Sequence, residues 1–248
     1  MLIVNADDWG IDVATTDAIA DSFAANRITS ATAMVFMADS ERAAGVALKI
    51  GLPVGLHLNL SSPFTGNDVP EPVRQTHAAL TGRFDDRNRQ WRRWIPDPTL
   101  GRAVIERAVR QQLAQFEELY GRPPTHVDGH KHVHVAPGVA RTPALNEFAM
   151  RRGFSELPGS RSPKALARHI HHRLFLSRHR STDHFFSIWS LRDELLAAEQ
   201  PAAVRLASDD VVEVMAHPGA TKERTLLMCD AWAEALRHVQ LGTYEDIR

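Results

Sequence analysis

The sequence predicts an α/β fold, a single domain over residues 1–248 with mostly parallel strands, and three observations predict it. Short apolar, β-branched runs alternate with stretches of helical spacing, the pattern of βαβ units that build a parallel sheet. A length of 248 residues suits one α/β barrel, which commonly takes roughly 200–250. Carboxylates and histidines stand at or near the ends of the apolar runs, where such folds gather their chemistry.

Leu2–Val4 is the first strand, stopping at Asn5-Ala6-Asp7-Asp8. From about Val13 to Ala25, residues Val13, Ile19, Ala20 and Phe23 share one helical face. Ser30–Phe36 reads as a second strand, residues 40–50 as a second helix, and Val54–Leu60 (VGLHLNL) as a third strand with His57 at its centre. Residues 61–98, rich in proline, read as one long irregular loop of the kind that forms lids or binding loops. An amphipathic helix spans Leu100–Tyr120 and ends at Gly121 and the Pro123-Pro124 pair. Thr125–Val135 (THVDGHKHVHV) reads as a strand and Pro143–Arg152 as a helix. Residues 155–185 carry arginines and histidines 169, 171, 172, 179 and 184 without ligand spacing, and read as a solvated or substrate-facing basic surface. Val211–Ala216 is the last clear strand, running into His217-Pro218-Gly219, and a helix follows over Thr225–Val239.

The charge balance, 29 basic against 30 acidic residues, argues against a nucleic-acid or membrane-surface binder. One cysteine, Cys229, excludes an internal disulfide and a thiolate metal cluster, which fits a reducing compartment. The N-terminal segment lacks the basic and apolar regions of a signal peptide, and no run of 18 apolar residues occurs. The cytoplasm is the default expectation, without nucleic-acid or membrane partners.

Thirteen histidines call for an explanation. In the 125–135 segment, His126, Asp128, His130, His132 and His134 recur at period two, so an extended chain lines one face with four imidazoles and a carboxylate. In a buried sheet each needs a partner. A bound cation supplies one, since neutral imidazole and carboxylate are common metal ligands. Alternate strand residues lie about 6.6 Å apart, against metal–ligand bonds near 2.0–2.2 Å, so one strand offers one ligand comfortably and two with strain. Asp8 and His57 are the obvious further donors. Asp128 is then placed to orient a ligand histidine through its second nitrogen, and His132 and His134 to support the ligands or touch substrate. Blander readings exist: Asp7-Asp8 as a helix N-cap, which needs only one carboxylate, His57 as a satisfied core residue, and His217 as a turn former. A histidine at position 217 also suits a general acid.

NADDWG, GLHLNL, THVDGHKHVH and EVMAHPG, in this order between residues 5 and 219, resemble the YdjC-like carbohydrate deacetylase family. The resemblance implies a distorted TIM-like (β/α) barrel that hydrolyses N-acetyl groups on amino sugars. It implies one divalent ion, zinc or magnesium, on Asp8, His57 and His130, with Asp7 as base and His217 as acid. Trp9 stands where the family usually has Phe, and Gly129 and Lys131 flank His130 in place of the more typical Ser and His. Two rival readings stay open, a hydrolase of another amide or ester bond on the same metal and a non-enzymatic metal or sugar binder. The latter leaves the flanking base and acid without a role. A homodimer is the commonest assembly in general.

Overall fold

A computed structural model describes residues 1–84, 101–153 and 163–247. Six strands form one sheet: β1 (Leu2–Trp9), β2 (Ser30–Ala33), β3 (Val54–Leu58), β4 (Val127–Gly129), β5 (His184–Ser187) and β6 (Val212–Ala216). All neighbours are parallel, in the order β4-β3-β2-β1-β6-β5. The sheet curls into a half-barrel, so the expected barrel-like α/β fold is observed.

Ten α-helices lie among the described residues, besides short 3-10 and π turns: α1 (Val13–Ala24), α2 (Ser40–Ile50), α3 (Glu71–Phe84), α4 (Arg102–Tyr120), α5 (Pro137–Ala140), α6 (Pro163–His171), α7 (Arg192–Leu196), α8 (Ala202–Leu206), α9 (Thr221–Met228) and α10 (Asp230–Arg237). Helix α1 starts where Asp12 accepts the Thr15 N–H at 2.8 Å, which satisfies one orphan donor of the first turn. Helix α4 buries a stripe of Ile105, Val109, Gln112, Phe116 and Tyr120. It stops at Gly121, whose φ of 66° turns the chain left-handed while its N–H returns to Glu117.

The two faces of the sheet differ in chemistry. Leu2, Val4 and Ala6 of β1, Val54, Leu56 and Leu58 of β3, and Val212, Val214 and Ala216 of β6 enter the main hydrophobic core. The alternate residues face inward and are largely polar yet buried: Asn5, Asp7, Ser30, Thr32, His57, Asp128 and Glu213. Below them a small apolar plug of Ile3, Ala149, Tyr244 and Ile247 closes the bottom of the half-barrel.

Several expectations change. Residues 61–98 are not one loop, because α3 occupies Glu71–Phe84; residues 85–98 lie outside the described residues. Pro72 falls in the first turn of α3, where its missing N–H is tolerated. The expected 125–135 strand ends at Gly129, and His130–Val135 is a 3-10 turn in which Lys131 and His132 have φ of 52° and 56°. The period-two face therefore breaks after Asp128. The expected 143–152 helix reduces to a 3-10 turn at Pro143–Leu145, and a short bridge pairs Met150 with Val127. The final helix is two, divided where Cys229 takes an extended conformation and caps α10. Strand β5 and helix α6 lie in the region read only as basic surface; His179 is buried there, its ring 3.0 Å from the Ala140 carbonyl, while the side chain of His169 lies outside what is described.

Candidate active site

Adjacent residues of a regular strand point to opposite faces, so Asp7 and Asp8 could not share a pocket without an irregularity. Strand β1 supplies one. Its register with β2 shifts between Ala6 and Trp9, and Asp8 has φ of 73°, a left-handed conformation that Asp tolerates better than most residues. Such bulges re-aim side chains beside functional sites. Trp9 then returns to the core, fully buried.

Parallel register places the next pair. His57 and Asp128 are partners across β3 and β4. Asp128 Oδ1 lies 2.7 Å from His57 Nδ1, which leaves Nε2 facing Asp8 Oδ1 at 3.3 Å. After Gly129 the left-handed turn brings in the third group: His130 Nδ1 lies 3.1 Å from the same Asp8 oxygen. One ligand atom each from Asp8, His57 and His130 falls within 4.8 Å of the other two. With bonds of about 2.0–2.2 Å, ligand atoms around one ion stand roughly 2.8–3.6 Å apart, depending on whether the angles are right or tetrahedral. Both Asp8 separations fall in that window, and two nitrogens with a carboxylate oxygen suit a divalent ion. The residues fit the group. His57 is fully enclosed whereas Asp8 and His130 are partly open, so the candidate centre faces outward on one side only.

A second convergence of Asp7, His57 and Asp128 lies deeper. A guanidinium fills it. Arg151, fully buried, grips Asp7 with two hydrogen bonds of 2.7 Å and approaches Asp128 at 2.6 Å. Its Nε donates to Glu213 at 2.8 Å, and the Tyr244 hydroxyl donates to the other Glu213 oxygen at 2.5 Å. Thr32 donates to Asp128 at 3.1 Å, and Asn5 to Asp7 at 3.0 Å. The column thus runs without a break from the apolar plug to the candidate metal ligands.

These contacts set the protonation states. Burial pushes the Asp7 carboxyl up, but the Arg151 charge and then His57 outweigh it and hold Asp7 well below the usual carboxylate range. Burial likewise opposes ionisation of Asp8, and the bonds from His130 and His57 reverse the balance. For His57 burial favours the neutral ring, but Asp128 and Asp7 raise its pKa well above the ordinary value.

His217 follows β6, and register with β1 sets it beside Asp7. Its Nε2 lies 3.9 Å from Asp7 Oδ2, and its Nδ1 lies 3.1 Å from Glu223 Oε2. Burial pulls the ring down, yet Glu223, Asp7 and Asp8 push it up to about 9. His132 and His134 do not join either convergence. Burial and the Arg151 charge push His132 down to about 3, and burial holds His134 neutral as well.

A family model described as YdjC-like protein matches residues 1–245. The chain belongs to the YdjC-like family. Among relatives of this YdjC-like chain, a carbohydrate deacetylase of Mus musculus is 31% identical over 246 residues, covering 88% of this chain and 77% of that one. A chitooligosaccharide deacetylase of Serratia marcescens is 34% identical over 154 residues, 62% of this chain and 57% of the other. A solved structure from Enterococcus faecalis V583, described as a cellobiose-phosphate cleavage protein, shares the fold with a TM-score of 0.71 over 98% of this chain and 97% of its own, at 21% identity.

The sequence reading missed Arg151, Glu213, Tyr244 and Glu223. Arg151 sits in an ordinary-looking Met-Arg-Arg-Gly stretch with no motif around it. Glu223 precedes the helix expected from Thr225, and only the observed start of α9 at Thr221 puts it in a first turn, where helices favour an acid. The Glu in VVEVMA, an acid within an apolar strand, was the one visible signal that a buried cation awaited it.

Proposed function

We propose that this chain is a metal-dependent hydrolase, one domain over residues 1–248, that removes the acetyl group from the nitrogen of an amino sugar or N-acetylated oligosaccharide. The reading is carried by one observation: the donor trio Asp8, His57 and His130 converges beside a buried carboxylate, Asp7, with a histidine across from it. The names of the relatives supply the substrate class.

Asp8, His57 and His130 would hold one divalent cation, zinc by preference of the two nitrogen donors or magnesium. Such an ion lowers the pKa of bound water from 15.7 toward about 7 and polarises the acetyl carbonyl. Asp7 is the base, kept ionised by the Arg151 fork, which also fixes where its oxygens point. The same fork makes Asp7 a weak base, adequate only for a water already acidified. His217 stays cationic up to about pH 9 and gives its Nε2 proton to the departing amine. Asp7 Oδ2 and His217 Nε2 stand 3.9 Å apart, a spacing that supports a base and an acid serving one reacting centre.

Acetate release from N-acetylglucosamine oligomers, measured with and without chelator, tests the reading. The expected result is release that chelation stops and added zinc or magnesium restores. Metal-loaded protein that releases no acetate from any N-acetylated sugar would overturn it.

A further inference from the structure

We infer that Glu223 is a positioning residue for this reaction, holding the His217 ring so that Nε2 and no other atom exchanges the proton. The inference rests on the proposed role of His217 and deepens it. Glu223 lies in the first turn of α9, six residues after the histidine. One carboxylate oxygen, Oε2, accepts the His217 backbone N–H at 2.8 Å and lies 3.1 Å from the ring Nδ1. A single atom therefore fixes the main chain and the imidazole of the same residue.

Hydrogen bonds and close packing brace the turn between them. The Ala220 N–H returns to the His217 carbonyl at 2.9 Å and the Glu223 N–H to the Ala220 carbonyl at 3.0 Å. Gly219 packs so closely on α1 that a Cβ there would lie 2.7 Å from Thr15 Oγ1. Glu223 is mostly buried, so water competes poorly for its oxygen. A carboxylate accepts only, so Nδ1 must carry hydrogen in both the neutral and the cationic ring. Nε2 is then the nitrogen that alternates, and it faces Asp7. Among the described residues, Asp8 on β1 and His132 in the turn after β4 also act on the ring electrostatically.

In the step itself the water oxygen bonds to the acetyl carbon and its proton goes to Asp7. The carbon–nitrogen bond breaks, its electron pair stays on nitrogen, and nitrogen takes the Nε2 proton. The proton on Asp7 then restores His217, the second water proton passes from the new carboxyl to the amine, and acetate and ammonium leave. Without Glu223 the ring loses its preferred tautomer and its aim, while metal ligands and base stay in place.

The test uses the zinc-loaded protein with Glu223→Ala, Glu223→Gln and His217→Asn, reading kcat and KM on an N-acetylglucosamine oligomer, zinc content, and the His217 ring ¹⁵N shifts. Glu223→Ala should lower kcat about 10- to 100-fold, part of the roughly 10²–10⁴ that a general acid contributes. KM and zinc content should hold, and the Nδ1–H signature should be lost. Glu223→Gln, whose amide oxygen still accepts, should recover part of kcat and of the signature. Wild-type kcat in Glu223→Ala, or an unchanged His217 tautomer in both Glu223 variants, would overturn the positioning role. If His217→Asn itself turned over like wild type, the acid assignment would fall instead, so the two failures are distinguishable.

Discussion

Asp7 and Asp8 are chemically identical neighbours separated by environment. Asp7 is spent on Arg151, buried and orientated; Asp8 faces two imidazoles at the partly open side of the centre. The proposal therefore assigns them different fates on mutation. Asp7→Asn should keep its metal and lose roughly 10²–10⁴-fold in kcat, a general base's share; a variant with full turnover would remove Asp7 from the reaction. For His217, raised to about 9, the sign follows from its charge: the acid is protonated below that pH and empties above it. Turnover should fall as pH rises through about 9. A pH profile of kcat checks this, and a profile flat across that range would count against His217 as the proton donor.

At the scale of elements, two left-handed irregularities build the site, one at Asp8 inside β1 and one at Lys131-His132 after β4. A third feature is close approach. A Cβ on Gly55 of β3 would meet the His126 ring at 2.5 Å and the His126 carbonyl at 2.7 Å. The ring is itself stacked on Tyr244, with centroids 3.7 Å apart, and cannot retreat. Gly55→Ala should destabilise the protein by about 1–3 kcal/mol in denaturant unfolding. Helices α1, α2 and α4 and strands β2, β3 and β6 were legible because their outward faces obey simple periodicity. The far half of β1 was not, since Asn5, Asp7 and Asp8 read as the end of a strand when they are its inward face. The run from His126 to His134 misled in the opposite direction: its period of two is real in sequence, but positive φ at two successive residues ends the extended chain, and no residue type there announces it. The convergence of Asp8, His57 and His130 does not need that extended face, since register and turn geometry bring them together.

At the scale of the molecule, the inside of the half-barrel is a stack. Tyr244 from the C-terminal segment holds Glu213, Glu213 and Asp7 hold Arg151, and Arg151 with Asp128 supports His57. Removing one member of a buried ion cluster strands the others without compensation. Arg151→Ala should cost roughly 3–5 kcal/mol of unfolding free energy, far more than an exposed arginine such as Arg237, whose pairing with Glu234 is solvated. Equal losses for the two variants in urea would show that the column does not carry the fold. Arg151 belongs to no recognisable sequence pattern, because its three carboxylate partners come from β1, β4 and β6 and meet only once the sheet has formed.

If Asp8, His57 and His130 share one divalent ion, as proposed, titrating zinc into metal-free protein will reveal it. One equivalent should bind the native chain, binding should be strongly weakened in Asp8→Ala, His57→Ala and His130→Ala, and Asp7→Asn should retain it. Native-like affinity in the three alanine variants would contradict it.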